Sequence, residues 1–230
     1  MKKTYAALNQ HRFYFGGLLI SLLAAAVFLY ISGKEYAFLS LNSYHPFLLN
    51  VFFINYTFMG DGIFALCLIA VVFFYFRKEQ HGFALLCSFL ISGLITQVLK
   101  NLISSPRPKL YFEQGTYLHF IDGVTLSGSS GFPSGHTATA FAIATVMILM
   151  MKSKNFQLPI LLAALLVGYS RIYLAQHFLL DVIMGAVTGS LSGILAVYLV
   201  KNKIFIRRLI RNVHQLPSGS VSTPTTIQTA

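Results

Sequence analysis

Three short stretches of this 230-residue chain combine cations, histidines and a carboxylate at spacings that suit phosphate chemistry. They are KNLISSPRP, GFPSGHTATAF and SRIYLAQHFLLD. The polar residues of interest in them are Lys100, Arg107, Ser134, Gly135, His136, Arg171, His177 and Asp181. A phosphoryl group in transfer carries negative charge on its equatorial oxygens, so a protein accelerates the reaction mainly by positioning and by fixed positive charge. Lys100, Arg107 and Arg171 can provide that charge, and the two arginines offer bidentate geometry.

The stretch GFPSGHTATAF predicts a polar turn in front of an apolar helix. Ser134 can cap the first free N–H groups of that helix, which is a purely structural role. A helix N-terminus with free N–H groups at Gly135 and His136 also suits an anion such as phosphate. Taken alone the stretch favours capping, and the case for phosphate depends on the other two stretches.

The two histidines can divide the chemistry of a phosphohistidine route. His177 and Asp181 are four residues apart and share a helical face, so the carboxylate can fix the tautomer of a ring that attacks phosphorus. His136 can then protonate the leaving oxygen and later take a proton from water. No metal is required, because a two-magnesium site needs several convergent carboxylates and Asp181 has only Glu113 and Asp122 as loose extras.

Each of these residues also has an ordinary structural explanation. Lys100 can be a snorkelling interface residue, Arg107 a solvated loop charge, and His177 with Asp181 a structural hydrogen-bonded pair. When the residues are considered as a group, these structural explanations become less convincing, because ionisable residues at the ends of membrane helices are functional candidates by default. The chain has no Gly-x-x-x-x-Gly-Lys-Ser/Thr loop, His-Glu-x-x-His motif or Gly-x-Ser-x-Gly elbow, which disfavours other catalytic classes.

Membrane-spanning helices must position these residues. The chain is 56% hydrophobic and 10% charged, with a mean hydropathy of +0.69, which lies outside the usual range of soluble domains. Six apolar stretches approach the roughly 20 residues that cross a bilayer core. They lie at 13–33, 57–76, 80–99, 133–151, 155–172 and 181–200. We therefore predict an all-α, six-transmembrane helical bundle within residues 1–211.

The charges predict the orientation of this bundle. With a cytoplasmic N-terminus, only five of the 17 Lys and Arg residues fall in outside segments, as the positive-inside rule requires. Both termini are then cytoplasmic, and the three polar stretches meet at the extracytoplasmic face. Because the basic residues are scattered, the net charge of +11 does not indicate a nucleic-acid partner. A basic membrane-surface segment at 201–211 and a disordered tail at 212–230 are predicted after the last span.

Two further features bear on packing and specificity. Gly185, Gly189 and Gly193 recur every four residues in the last span, which predicts a close-packing seam against another helix of the chain or a second subunit. The outer segments 34–56 and 110–132 carry aromatic residues, and we expect substrate specificity to reside there. The oligomeric state stays open.

Together the three stretches resemble the signature of the type 2 phosphatidic acid phosphatase family, which is related to vanadium haloperoxidases. The family pattern Lys, six residues, Arg-Pro is matched at 100–108, Pro-Ser-Gly-His at 133–136, and Ser-Arg, five residues, His, three residues, Asp at 170–181. The resemblance implies a helical core and a metal-independent phosphatase without a cofactor. It implies His177 as nucleophile and His136 as acid and base. It also implies a phosphate cradle of Lys100, Arg107, Ser134, Gly135, His136 and Arg171.

We therefore expect an inner-membrane enzyme that removes phosphate from a lipid phosphate or diphosphate at the extracytoplasmic face. The family suggests undecaprenyl diphosphate, phosphatidylglycerophosphate, phosphatidic acid or lipid A phosphate as the substrate. One alternative is a phosphotransferase that passes the phosphoryl group to a lipid acceptor such as lipid A. A more remote alternative is a non-catalytic lipid-phosphate binder or transporter, although transporters tend to bind at the bilayer midplane. The expected partners are the lipid substrate and membrane lipids.

Overall fold

The computed structural model describes residues 10–112, 119–121, 124, 126, 128–151 and 153–202. The predicted extra carboxylates Glu113 and Asp122, most of the basic segment 201–211 and the tail 212–230 lie outside these residues. The described residues are almost entirely helical. The helices are α1 Arg12–Leu41, α2 Phe47–Tyr56, α3 Gly62–Ala70, α4 Glu79–Leu102, α5 Pro108–Tyr111, α6 Gly135–Met150, α7 Gln157–Tyr173 and α8 Leu179–Lys201.

Several of these helices suit a membrane. In the described part of the chain, α1, α4 and α8 are long and apolar enough to cross a bilayer. Helices α2 and α3, with the turns that extend them, form a pair bent by 58° that would be a fourth span if it acts as one. Helices α6 and α7 are apolar but shorter, with 16 and 17 residues. The helical membrane fold predicted from sequence is confirmed, and the count of six spans stays a prediction.

Helix α1 changes direction at Gly33, where the first apolar stretch was predicted to end. Gly33 has φ 74° and ψ 167°, a backbone conformation that only glycine adopts without strain. The chain continues in helical conformation to Leu41, and α2 follows after a short turn. The outer segment predicted at 34–56 is therefore mostly helical.

The glycine seam of α8 packs on α6 within the same chain. A Cβ atom at Gly189 would lie 2.1 Å from the carbonyl oxygen of Ala138, and one at Gly185 would lie 2.6 Å from that of Ser134. Gly193 approaches α6 in the same way. Helix α6 is buried along most of its length between α4, α7 and α8, which places it at the centre of the bundle. The close approach of α6 and α8 fixes the relative positions of their N-terminal ends.

Candidate active site

The polar residues of the three stretches meet at one end of the helical bundle. Lys100 lies in the last turn of α4, Arg107 directly precedes α5, and Arg171 lies in the last turn of α7. Ser134 precedes α6, and Asp181 lies in the first turn of α8. Lys100 interacts electrostatically with Arg107, Arg171 and Asp181, and both histidines interact with Lys100 and Arg171. The structure thus brings together the groups that the sequence places 81 residues apart.

A short pairing of two loops holds the backbone of Arg107. Its N–H donates to the carbonyl of Gly128 at 2.9 Å, and the N–H of Ser105 donates to Ser129 at the same distance. In return, the N–H of Gly131 donates to Ser105 at 2.8 Å. A Cβ atom at Gly131 would lie 2.9 Å from the Ser105 carbonyl oxygen, so the approach requires glycine. The backbone of residues 128–131 therefore supports Arg107.

A buried glutamine orients the Arg107 side chain. Arg107 Nη1 donates to Gln176 Oε1 at 2.9 Å, and the Gln176 amide donates in turn to the Val124 carbonyl. Gln176 is 2% exposed and directly precedes His177. Sequence reasoning did not single out Gln176, because a glutamine between two signature positions carries no distinctive signal.

The Nε donor of Arg171 can bind an anion. Its Nη1 donates to Thr57 Oγ1 at 2.5 Å. Its Nε is buried and has no hydrogen-bond partner among the described residues. The residue is 5% exposed, and a buried guanidinium N–H without an acceptor is energetically costly. A bound phosphate oxygen would satisfy that donor.

The imidazole of His177 is oriented mainly by a backbone carbonyl. His177 Nδ1 lies 2.6 Å from the carbonyl oxygen of Gly131 and 3.5 Å from Asp181 Oδ2. A carbonyl oxygen only accepts hydrogen bonds, so Nδ1 carries the hydrogen and Nε2 carries the lone pair. Asp181 Oδ2 accepts the backbone N–H of Phe178 at 2.9 Å and so caps α8. The sequence predicted Asp181 as the group that fixes the tautomer, whereas the shorter contact is to Gly131.

The protonation state of His177 suits a nucleophile. The residue is 2% exposed and lies in the connection between α7 and α8. Burial, helped by Arg171, Arg107 and Lys100, lowers the pKa of His177 well below its ordinary value of 6.5, and the contact to Gly131 opposes this only in part. The ring is therefore neutral at physiological pH, with Nε2 available to attack an electrophile.

The N-terminus of α6 has the cap that its sequence suggested, and its suitability for an anion stays a prediction. The Ser134 side chain accepts a hydrogen bond from the Thr137 hydroxyl at 2.9 Å and a longer one from the Thr137 N–H at 3.5 Å, so the predicted cap is confirmed. The backbone N–H of Ser134 donates to the Asp181 carbonyl at 3.0 Å, which ties α6 to α8. The N–H groups of Gly135 and His136 are among those that a helix start leaves without intrahelical partners. They remain suited to a phosphate oxygen.

His136 faces a carboxylate that sequence reasoning did not include in the site. Its Nε2 lies 3.6 Å from Asp61 Oδ2, and the two side chains are 31% and 34% exposed. Asp61 directly precedes α3 and caps it, because its Oδ1 accepts the N–H of Ile63 at 2.8 Å. The available signal was a single carboxylate in the otherwise uncharged stretch 57–76.

The described residues hold no group of three or more His, Cys, Asp or Glu side chains that suits a metal ion. Each carboxylate at the site has its own contact. Asp181 caps α8, and Asp61 caps α3 and faces His136. Metal independence stays a prediction.

Comparison with known proteins agrees with this geometry. The profile of the PAP2 superfamily matches residues 81–205, which contain all three stretches. Lipid A 4'-phosphatase of Porphyromonas gingivalis is 32% identical over 165 residues, which cover 68% of each chain. The crystal structure of Aquifex aeolicus LpxE has a TM-score of 0.63 at 32% identity and covers 72% of this chain and 94% of that one. The transmembrane PAP2 type phosphatidylglycerolphosphate phosphatase of Bacillus subtilis has a TM-score of 0.56 at 27% identity, covering 86% and 98%. This chain belongs to the PAP2 superfamily.

Proposed function

We propose that this protein is a membrane phosphatase that hydrolyses a lipid phosphate or diphosphate through a phosphohistidine intermediate. The main observation in support is the combination of a neutral, buried His177 with the buried and unpaired Nε of Arg171. A nucleophile and an anion-binding donor thus lie in one cluster of positive charge. This cluster fits phosphoryl transfer better than it fits a purely structural role.

The first step forms the intermediate. His177 Nε2 attacks phosphorus, a P–N bond forms, and the P–O bond to the lipid breaks. The electron pair of that bond goes to the leaving oxygen, which takes a proton from His136. The His177 ring becomes cationic as the bond forms, and its Nδ1–H keeps its contacts with the Gly131 carbonyl and the Asp181 carboxylate. Both contacts stabilise the developing positive charge.

The second step reverses these roles. A water molecule attacks phosphorus while His136 takes one of its protons, and the P–N bond breaks. Inorganic phosphate leaves, the electron pair returns to His177 Nε2, and His136 is again protonated. Lys100, Arg107 and Arg171 stabilise the equatorial oxygens in both steps, together with the N–H groups at the start of α6. No step requires a metal ion or an organic cofactor.

The proposed orientation places the site at the extracytoplasmic face of the inner membrane, with both termini in the cytoplasm. The support for it is the distribution of Lys and Arg residues between the predicted inside and outside segments. A site at the ends of apolar helices also matches the depth of a lipid headgroup. The named relatives act on lipid A and on phosphatidylglycerolphosphate, which favours an amphiphilic phosphate as substrate.

The test is phosphate release from a panel of purified lipids in detergent, with wild type beside His177→Ala. The panel contains undecaprenyl diphosphate, phosphatidylglycerophosphate, phosphatidic acid and lipid A. We expect release from at least one lipid and a loss of at least about 1,000-fold in His177→Ala, because the nucleophile itself is removed. His81→Ala, at the opposite end of α4, is the matched control and should retain activity. Full turnover by His177→Ala would refute the nucleophile assignment.

The same assay distinguishes hydrolysis from phosphotransfer. A second, unphosphorylated lipid is added as an acceptor, and both free phosphate and phosphorylated acceptor are measured. The proposed hydrolase releases phosphate at an unchanged rate. A phosphorylated acceptor with a matching fall in free phosphate would identify a transferase instead.

A further inference from the structure

The second apolar stretch is broken at the site, outside the three signature stretches. Helices α2 and α3, together with the turns that extend them, form an angle of 58°. The break between the two helices is taken as the tight turn Thr57–Gly60 and Asp61, where the chain bends. A Cβ atom at Gly60 would lie 2.7 Å from the carbonyl oxygen of His136, so the break packs directly on the first turn of α6. The bend therefore brings a segment from far upstream against the proposed acid and base.

This break contributes two polar contacts to the site. Thr57 Oγ1 accepts from Arg171 Nη1 at 2.5 Å, and Asp61 Oδ2 lies 3.6 Å from His136 Nε2. The second contact is within ion-pair distance. Because Asp61 Oδ1 is held by the N–H of Ile63, the start of α3 fixes the direction in which the carboxylate points.

The other charges around His136 disfavour its protonated form, and the Asp61 carboxylate opposes them. Among the described residues, the charged and titratable groups that interact with the ring are Asp61, Lys100, Arg171 and His177. Lys100 and Arg171 are cations, and both oppose a second positive charge on the imidazole. A general acid must nevertheless carry its proton when the leaving oxygen departs. Asp61 is the negative group in this set.

We propose that Asp61 is a positioning residue that orients His136 and stabilises its protonated form, an inference that rests on the proposed function. The negative charge of Asp61 stabilises the protonated ring as a whole, because the charge of an imidazolium is shared by both nitrogens. The partial exposure of both side chains leaves room for the leaving alcohol and for water. The bent pair of helices α2 and α3 thus supplies the charge that makes His136 effective as an acid.

The test is Asp61→Asn, assayed with a lipid substrate that the wild-type enzyme hydrolyses. Asparagine still caps α3, so the substitution removes the charge and keeps the local structure. We expect kcat to fall about 10- to 100-fold with KM changed less than about threefold, since general acid catalysis contributes roughly 100- to 10,000-fold. The alkaline limb of the kcat/KM profile should move to lower pH. Asp61→Glu, which keeps the charge, should recover part of kcat.

A second substrate separates this role from a structural one. With a nitrophenyl phosphate the leaving group needs no proton, so the initial burst of nitrophenol should be as fast in Asp61→Asn as in wild type. Glu79→Gln, which removes a carboxylate at the opposite end of α4, is the matched control and should behave as wild type. An equal loss with both substrates would assign Asp61 a purely structural role and overturn the inference.

The remaining outcomes are also decisive. If Asp61→Asn keeps the kcat and the pH profile of an active wild type, the inference is wrong and the proposed function stands. If wild type releases no phosphate from any substrate, the proposed function fails and the inference fails with it.

Discussion

Gly189→Ala tests whether the contact between α6 and α8 sets the geometry of the site. The new Cβ atom would lie 2.1 Å from the Ala138 carbonyl oxygen, whereas ordinary contact begins at 3.4 Å. The clash would be with a backbone oxygen, so no change of side-chain rotamer can relieve it. The two helices must therefore separate by about 1.3 Å at this level, or α8 must shift along its axis.

Either movement reaches the residues that are proposed to perform the chemistry. Helix α6 carries His136 at its start, and the N–H of Ser134 donates to the Asp181 carbonyl of α8 at 3.0 Å. A displacement of about 1 Å in such a site costs on the order of 100-fold in rate. Overpacking a helix contact costs about 1–3 kcal/mol of stability. We expect Gly189→Ala to lose about 100-fold in kcat/KM and to unfold at a lower temperature.

The assay compares phosphate release with the fraction of soluble, monodisperse protein that remains after heating in detergent. Gly93→Ala in α4 is the matched control, because among the described residues no atom outside its own helix backbone lies within 4 Å of the new Cβ. It should be stabilised by about 0.5–1 kcal/mol, since alanine favours a helix over glycine. Equal stability and activity in Gly189→Ala and Gly93→Ala would refute the packing argument.

Three further predictions concern the site. The pKa of His177 is lower in the folded protein than in the unfolded chain, so the unfolded chain takes up a proton first as the pH falls. The thermal unfolding midpoint should therefore fall as the pH drops below about 6.5. In His177→Asn it should fall less steeply. Gln176→Leu removes the acceptor for Arg107 Nη1, and kcat/KM should fall about 10-fold. An unchanged kcat/KM in a folded variant would contradict this. Activity should survive EDTA and fall with vanadate, which adopts the five-coordinate geometry of the transition state; the opposite pattern in a phosphate-release assay would favour a metal site.

The sequence predicts the site residues whose chemical type and local spacing carry information. Lys100 and Arg107 are seven residues apart around a helix end. His177 lies in the short connection between α7 and α8, and Arg171 and Asp181 lie in the helix turns that flank it. The N-cap at Ser134 was predictable for the same reason, since serine before an apolar run is a local pattern.

Other parts of the site depend on tertiary structure. Asp61 reaches His136 because the second apolar stretch bends by 58°, and no local pattern in that stretch predicts a bend of this size or its direction. Gly131 contributes a carbonyl oxygen, which every residue possesses, so its contact with His177 depends on how two loops pair. The partner of the glycine seam also required the structure, because small residues on one helix face do not identify the helix they contact.

The two histidines differ in exposure, and the difference bears on what the proposed phosphohistidine intermediate would react with. The side chain of His177 is 3% exposed and that of His136 is 31% exposed. In-line transfer requires the attacking nitrogen and the leaving oxygen on opposite sides of phosphorus. In the proposed route the buried side therefore holds only the nucleophile, and the lipid alcohol leaves and water enters on the open side beside His136. A phosphotransferase would need its acceptor hydroxyl in that same place. The choice between hydrolysis and transfer consequently depends on what fills the space next to His136 and Asp61 after the first product leaves.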